Sequence, residues 1–283
     1  MIQASFAFSI MALCVKIASR TLPSLEIVFF RSFFGSLMVG AVMFHRKISF
    51  LGTERRVMIL RGISGFIALT LHFYTIANLH LGTAVMLNYS APIFAAIFAI
   101  LFLKERPSPL LLSMIGLAFL GVYLLVEARL AGWDWMVFLG VLSAVFAAVA
   151  YVSIRAVKQR ESPFTIIFYF TAISTLGSIF FLPFGFKWPE AKEWLALAGV
   201  AVGSFYGQWW MTNALRVGRA SLISPFSYLT PLLSFLYGFI LWGETLKVTT
   251  LAGAFLIILA GSLISYFETK TRGKKPNVSI EIE

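Results

Sequence analysis

Ten apolar stretches of about twenty residues run through this chain, separated by short polar or glycine- and proline-bearing connections. They cover roughly residues 2–19, 24–44, 57–78, 82–103, 108–126, 133–153, 163–183, 194–214, 220–242 and 248–267. A helix needs about 20 apolar residues to cross the ~30 Å hydrocarbon of a bilayer. The pattern therefore predicts an all-α polytopic membrane protein with ten transmembrane helices. Span ends carry the expected punctuation, such as Leu22-Pro23, Arg46-Lys47, Arg106-Pro107, Arg160-Glu161, Gly218-Arg219 and Gly243-Glu244. The first stretch has no basic segment before it and no Ala-x-Ala site after it, which predicts a retained span rather than a cleaved signal peptide.

The fourth and ninth stretches share one pattern. Asn88-Tyr89-Ser90-Ala91-Pro92 runs through residues 93–103 into Lys104-Glu105, and Ser227-Tyr228-Leu229-Thr230-Pro231 runs through residues 232–242 into Gly243-Glu244. At a constant offset of 139, Tyr89 falls on Tyr228, Pro92 on Pro231 and Glu105 on Glu244. A proline inside an apolar helix frees the carbonyl four residues earlier. Within a membrane, such a break is tolerated only against protein or a watery cavity. Paired proline-interrupted spans point to a transporter's binding site, with Pro92 and Pro231 as its hinges. Five spans duplicated also means that the second copy enters from the opposite side, because five is odd. The expected organisation is a first repeat over 1–130, a second, inverted repeat over 131–268, and a disordered cytoplasmic tail over 269–283.

Composition and charge sharpen this picture. Hydrophobic residues make up 59% and charged residues only 12% of 283 positions, with mean hydropathy +0.88, against roughly one quarter charged in soluble domains. One cysteine, Cys14, excludes an intramolecular disulfide. The net charge of +11 follows membrane orientation and predicts no nucleic-acid partner: with the N-terminus cytoplasmic, fifteen Lys and Arg fall in inner segments and five in outer ones. The expectation is a multi-pass protein of the inner (plasma) membrane with both termini cytoplasmic.

Polar positions inside the spans name a candidate site. On the third span, Arg61, Gly65, Ala68, His72 and Thr75 share one helical face, and at offset 138 the eighth span carries Gly199, Gly203, Tyr206, Trp210 and Asn213. Small and polar residues on one stripe mark the inward side of a membrane helix. Packing is the reading for the glycines; cavity lining is the reading for His72, Thr75, Tyr206, Trp210 and Asn213. Arg61 lies about 6 Å into its span and is expected to snorkel to the inner surface. Arg31 lies about 12 Å in and cannot escape, so it faces either neighbouring helix carbonyls or a substrate.

Taken together, these residues resemble the drug/metabolite transporter superfamily, in particular its ten-helix members built from two EamA-type repeats. The resemblance rests on Ser24-Leu25-Glu26-Ile27-Val28-Phe29-Phe30-Arg31, on Leu81-Gly82-Thr83-Ala84 with Ala91-Pro92-Ile93-Phe94 and Leu103-Lys104-Glu105-Arg106, and on Ala220-Ser221 with Tyr228-Leu229-Thr230-Pro231 and Leu241-Trp242-Gly243-Glu244. It covers all but the tail and is specific for fold and transport, not for substrate. It implies that the fourth and ninth helices line a central cavity, with Asn88, Tyr89, Ser224, Ser227 and Tyr228 on it.

No catalytic, metal or cofactor site is expected: His45, His72 and His80 have no ligand spacing, and no nucleophile has a base beside it. The spans hold Lys16, Arg31, Arg61 and His72 but only Glu26 among acids, a balance that favours a small organic metabolite carrying a negative group, such as an amino acid or a nucleotide-like compound. Export or exchange by alternating access is the expected activity. Coupling to protons, through His72 or Glu26, and coupling to a counter-substrate both remain open, as do a monomer and a weak homodimer. The rival readings are an exporter of lipophilic cations and a non-transporting membrane scaffold or receptor.

Overall fold

The computed structural model describes residues 1–103, 109–127, 135–157, 160–217, 224–245 and 247–272. Its elements are α1 (Ile2–Ala18), α2 (Ser24–His45), α3 (Arg55–Asn78), α4 (Leu81–Asn88), α5 (Ala91–Leu103), α6 (Pro109–Glu127), α7 (Trp135–Val157), α8 (Pro163–Ile179), α9 (Ala191–Val217), a 3-10 turn (Ser224–Tyr228), α10 (Leu229–Trp242) and α11 (Val248–Arg272). The fourth span is thus two helices, α4 and α5, meeting at Tyr89-Ser90, and the ninth is the 3-10 turn followed by α10. Each break lies just before a proline, whose missing N–H cannot continue the ladder from the preceding turn.

The outer surface is apolar: Leu37, Phe44, Leu195, Ile240 and Phe255 all lie open on the bundle's exterior. In water that arrangement would be an aggregation surface; around a polytopic helical protein it is the lipid contact. Four described helices, Ser24–His45 among them, are by themselves long and apolar enough to span a bilayer.

Helix packing respects an exchange of the two halves. α1 packs on α9 and α3 on α7, α2 on α9 and α3 on α8, α1 on α10 and α5 on α7. Under the exchange each of these pairs becomes its companion. α2 with α8, α6 with α11 and, taken as whole spans, the fourth with the ninth (through α4 and α10) are self-matched. The loops follow the same rule at offset 140. The Thr21 hydroxyl bonds the Glu193 carboxylate on one face of the bundle. On the opposite face the Thr53 hydroxyl donates to Glu161 Oε1 at 2.6 Å. Acid and hydroxyl have changed places between the halves.

Glycines permit the closest helix approaches. A side chain at Gly203 would meet the Ala7 carbonyl at 2.9 Å, and one at Gly121 would meet the Gly253 carbonyl at 2.8 Å. Packing of small residues, rather than a hydrophobic drive, holds helices together in lipid.

One boundary differs from expectation. α11 continues to Arg272, so the first four residues assigned to the tail belong to the last helix. Glu268–Arg272 contain neither Gly nor Pro, and nothing stops the helix before Gly273. Residues 273–283, like Glu105 and its neighbours 104–108, lie outside the described residues.

Candidate functional site

The two broken spans meet at their breaks. The Tyr89 and Tyr228 rings stand 6.5 Å apart, centroid to centroid. The Tyr89 hydroxyl hydrogen-bonds Thr230 on α10. Thr230 Oγ1 donates to the Ser5 carbonyl on α1 at 3.1 Å, and Ser5 Oγ donates to the Phe226 carbonyl in the 3-10 turn at 2.9 Å. Asn88 Nδ2 donates to Ser143 Oγ on α7 at 3.0 Å. Several polar groups at the breaks therefore find partners in the other half of the chain, whereas Ser90 bonds the Leu87 carbonyl of its own turn and the Tyr228 hydroxyl has no partner among the described residues.

Around this junction lies a cavity of about 90 Å³, smaller than the 300–1,000 Å³ range of small-molecule sites. Its walls come from both halves: Phe8 and Met11 of α1, Arg31 of α2, Arg61, Gly65, Ala68 and His72 of α3, Asn88 and Tyr89, Tyr151 of α7, Phe170 of α8, Gln208 and Met211 of α9, and Thr230. A second cavity shares Phe8, Tyr89, Tyr151 and Met211 with it and continues past Ser227 and Pro92 to Ser5, Ala4 and Met1. That course runs toward the N-terminal face of the bundle, where α1 begins.

The opposite face is drawn shut. Gly243 ends α10 in a left-handed turn (φ 62°), which folds Glu244 back so that its amide donates to the Gly238 carbonyl at 3.1 Å. The carboxylate then accepts from Leu81 N at 2.8 Å and lies 3.8 Å from Lys16 Nζ, which also donates to the Leu79 carbonyl. Arg20 covers the Trp242 ring at 5.6 Å. One acid thus ties α1, the α3–α4 link and α10 together. Glu26, on the same face, accepts from Lys187 N at 3.0 Å and sits beside a separate pocket, away from the central cavity.

Electrostatics set the centre apart. Arg31 is 1% and Arg61 4% exposed, and both guanidinium groups lie over the same Phe170 ring, at 4.7 and 4.3 Å from its centroid. Nε and Nη1 of each have no hydrogen-bond partner among the described residues, nor does Nδ1 of His72. Among the described residues, no Asp or Glu lines the cavity. A cation–π contact is worth about 0.5–2 kcal/mol, whereas the effective penalty for a buried ion is several kcal/mol. Phe170 alone cannot satisfy two guanidinium groups; a negative guest can.

Arg61 is a correction to the sequence reading. Depth along α3 suggests escape to the surface, but the side chain turns inward because α8 packs on α3 and presents Phe170 to it. Other candidates divide. Arg31, His72, Asn88 and Tyr89 line the central cavity, and Ser227 and Pro92 the adjoining one. Thr75 lines neither; buried on α3, it donates to the His72 carbonyl at 2.8 Å. Tyr228 is 2% exposed and its hydroxyl is pressed against Gly261 of α11, so it packs the junction rather than lining it. Pro231 is buried within α10, and Ser224 opens the 3-10 turn with its side chain outside the described residues.

The stripe on α9 is rotated from expectation. Gly199 and Gly203 face Cys14 and Met11 of α1, while Tyr206 lies outward and stacks near Trp210 at 5.3 Å. Asn213 bonds its own helix at the Trp209 carbonyl, at 2.8 Å. Gln208 and Met211 take the inward positions instead. Tyr151, Gln208 and Phe170 were not singled out from the sequence. A lone glutamine within an apolar span was the one available signal, since a buried polar group needs a reason.

Comparison with known proteins agrees with this architecture. The model of the EamA-like transporter family matches twice, over residues 1–127 and 134–266. The chain is 34% identical to the pseudopaline exporter CntI of Pseudomonas aeruginosa, covering 92% of each protein. It is 27% identical to human solute carrier family 35 member G1, over 90% of this chain and 74% of that one. It is 25% identical to an S-adenosylmethionine uptake transporter of Rickettsia felis, over 92% and 89%. A solved crystal structure superposes with a TM-score of 0.66 over 96% of both chains at 19% identity, a likeness of fold alone. With two family matches spanning nearly its whole length, the chain belongs to the EamA-like transporter family within the drug/metabolite transporter superfamily, as a multi-pass membrane transporter of small metabolites and not an enzyme.

Proposed function

We propose that this protein is a secondary transporter that moves a small organic metabolite bearing a negative group, by alternating access at the cavity between its two repeats. The observation that carries this reading is the buried Arg31, unpartnered among the described residues, in a cavity lined by aromatic residues and by no described carboxylate. The flat, apolar walls of Phe8, Tyr89, Tyr151 and Phe170 suit an organic body, and the guanidinium suits its charge. A lipophilic cation would find the opposite field. Pseudopaline and S-adenosylmethionine, named for the relatives, are both small organic metabolites, and the more similar relative of those two is an exporter.

The Lys and Arg bias supports an N-terminal face that is cytoplasmic, with both termini inside an inner or plasma membrane. With that orientation, a cavity reaching the N-terminal face supports loading of cargo from the cytoplasm for export or exchange. Among the described residues no carboxylate lines the cavity to carry a proton, and Glu26 stands apart from it, which favours exchange or facilitated flux over coupling through an acid.

The test is flux in liposomes containing only this purified protein. Saturable efflux of anionic or zwitterionic metabolites is expected, accelerated by substrate on the far side. Flux confined to lipophilic cations, or none above empty vesicles for any metabolite class, would contradict the reading.

A further inference from the structure

The site holds two unpartnered guanidinium groups, not one. Arg31 comes from α2 and Arg61 from α3, and they converge on one phenylalanine of α8, each within 5 Å of its ring centre. The convergence has a steric cause. A side chain at Gly65 would meet Phe170 Cδ2 and Cε2 at 2.8 Å and collide with Arg61 Nη1, so only glycine leaves room for Arg61 to lie on the ring. Two like charges so close repel one another and are shielded from water. A guest with one carboxylate would leave one of them uncompensated.

We infer that the cargo presents two negative charges to the pair Arg31 and Arg61, either as two carboxylates on one organic body or as a doubly ionised phosphate ester. This rests on the reading of the cavity as an anion site and narrows it. Bidentate recognition by arginine suits carboxylate and phosphate alike. His72, on the same face of α3 about 16 Å further along the helix axis, lines the same cavity with Nδ1 unpartnered among the described residues. Arg61 thereby becomes a specificity-determining residue: it selects doubly over singly charged cargo.

The experiment uses the purified full-length protein and ranks affinities from ligand-induced shifts in thermal unfolding. The probes are the dicarboxylates from succinate to adipate, their half-amides, and glycerol 3-phosphate beside glycerol. A doubly charged probe should bind at least tenfold more tightly than its singly charged or neutral counterpart. Arg61→Gln and Arg31→Gln should each cut that preference to about twofold, the doubly charged probe losing at least fivefold in affinity. Whether the dicarboxylates or the phosphate ester show the preference identifies the source of the charge. Equal binding of diacid and half-amide in the unaltered protein overturns the inference and leaves the anionic reading standing. So does an unchanged preference in Arg61→Gln. Failure of every anionic probe, with a lipophilic cation binding instead, overturns both. The unaltered-protein comparison decides the matter even if a variant fails to fold.

Discussion

Charges at the rims of this protein and charges at its centre are treated in opposite ways. At the rims, Lys16 meets Glu244, Glu161 is held by Thr53 and Glu54, and Glu26 takes the Lys187 amide on Oε2, though its buried Oε1 has no partner among the described residues. These contacts join loops and helix ends across the two repeats. At the centre, Arg31 and Arg61 are more deeply buried than any of those lysines, yet keep nitrogens without partners. A fold that satisfies charges where they are cheap to solvate could have satisfied them where they are costly. Leaving two cations open in the middle of a membrane is destabilising unless something else arrives to meet them. On the proposed reading, the rim charges hold the protein together and the central ones wait for cargo.

The most disruptive way to erase this difference is to supply the centre with its own acid. Ala68→Glu, on the cavity wall between Arg61 and His72, should neutralise the pair and reduce transport by roughly 30-fold or more, while the thermal midpoint holds or rises. Proteoliposome uptake measured beside the melt checks both halves of that expectation.

Opening a rim should cost less. Glu244→Gln removes the charge that meets Lys16 and weakens the bond from Leu81 N, a charge-assisted contact worth about 1.5–3 kcal/mol. The face opposite the N-terminus should then open more often. Labelling of an Asn88→Cys cavity thiol by an impermeant maleimide from that side should quicken roughly tenfold in the Glu244→Gln background.

A brace on the other face makes a prediction in pH. Burial alone would raise the Glu161 carboxyl, but the Thr53 hydroxyl and the Glu54 and Thr53 amides donate to it and hold it below the ordinary carboxylate value. A depressed folded-state value means that this stability is fully present above the unfolded carboxylate pKa and is lost as pH falls through the lowered one. Glu161→Gln should therefore lower the melting temperature at neutral pH and flatten its fall on acidification, which melts taken across that range would show.

The smallest effect is expected away from both regions. Tyr206→Leu alters an outward, lipid-facing side chain and should change transport less than about twofold. A large loss in a folded Tyr206 variant would put α9 in the wrong rotation.

Much of this was legible along the chain, for reasons that separate neatly. The repeat of Tyr89 and Pro92 at Tyr228 and Pro231 is a pattern of kind and spacing, and it placed the breaks and the inverted halves. Arg31 and Asn88 were readable because a polar residue deep in an apolar span has few alternatives. Arg61 was not, because its direction depends on Phe170, more than a hundred residues away. Tyr228 shares its register with Tyr89 but not its role, because Gly261 lets its hydroxyl pack into α11. Gln208 was missed because the glycines of α9 mark the face toward α1, and the cavity lies on the neighbouring face. Periodicity finds a buried side, but a helix packed on several partners has more than one.

The claim that the central arginines meet anionic cargo is tested most directly by charge selectivity in liposomes containing the parent or Arg31→Gln. Counterflow of matched anionic, zwitterionic and cationic organic probes should show the parent moving the anionic and zwitterionic ones. The variant, equally folded and inserted, should lose these by roughly 30-fold while cations gain or hold. Parental rates for every anionic and zwitterionic probe in a folded Arg31→Gln protein would contradict it.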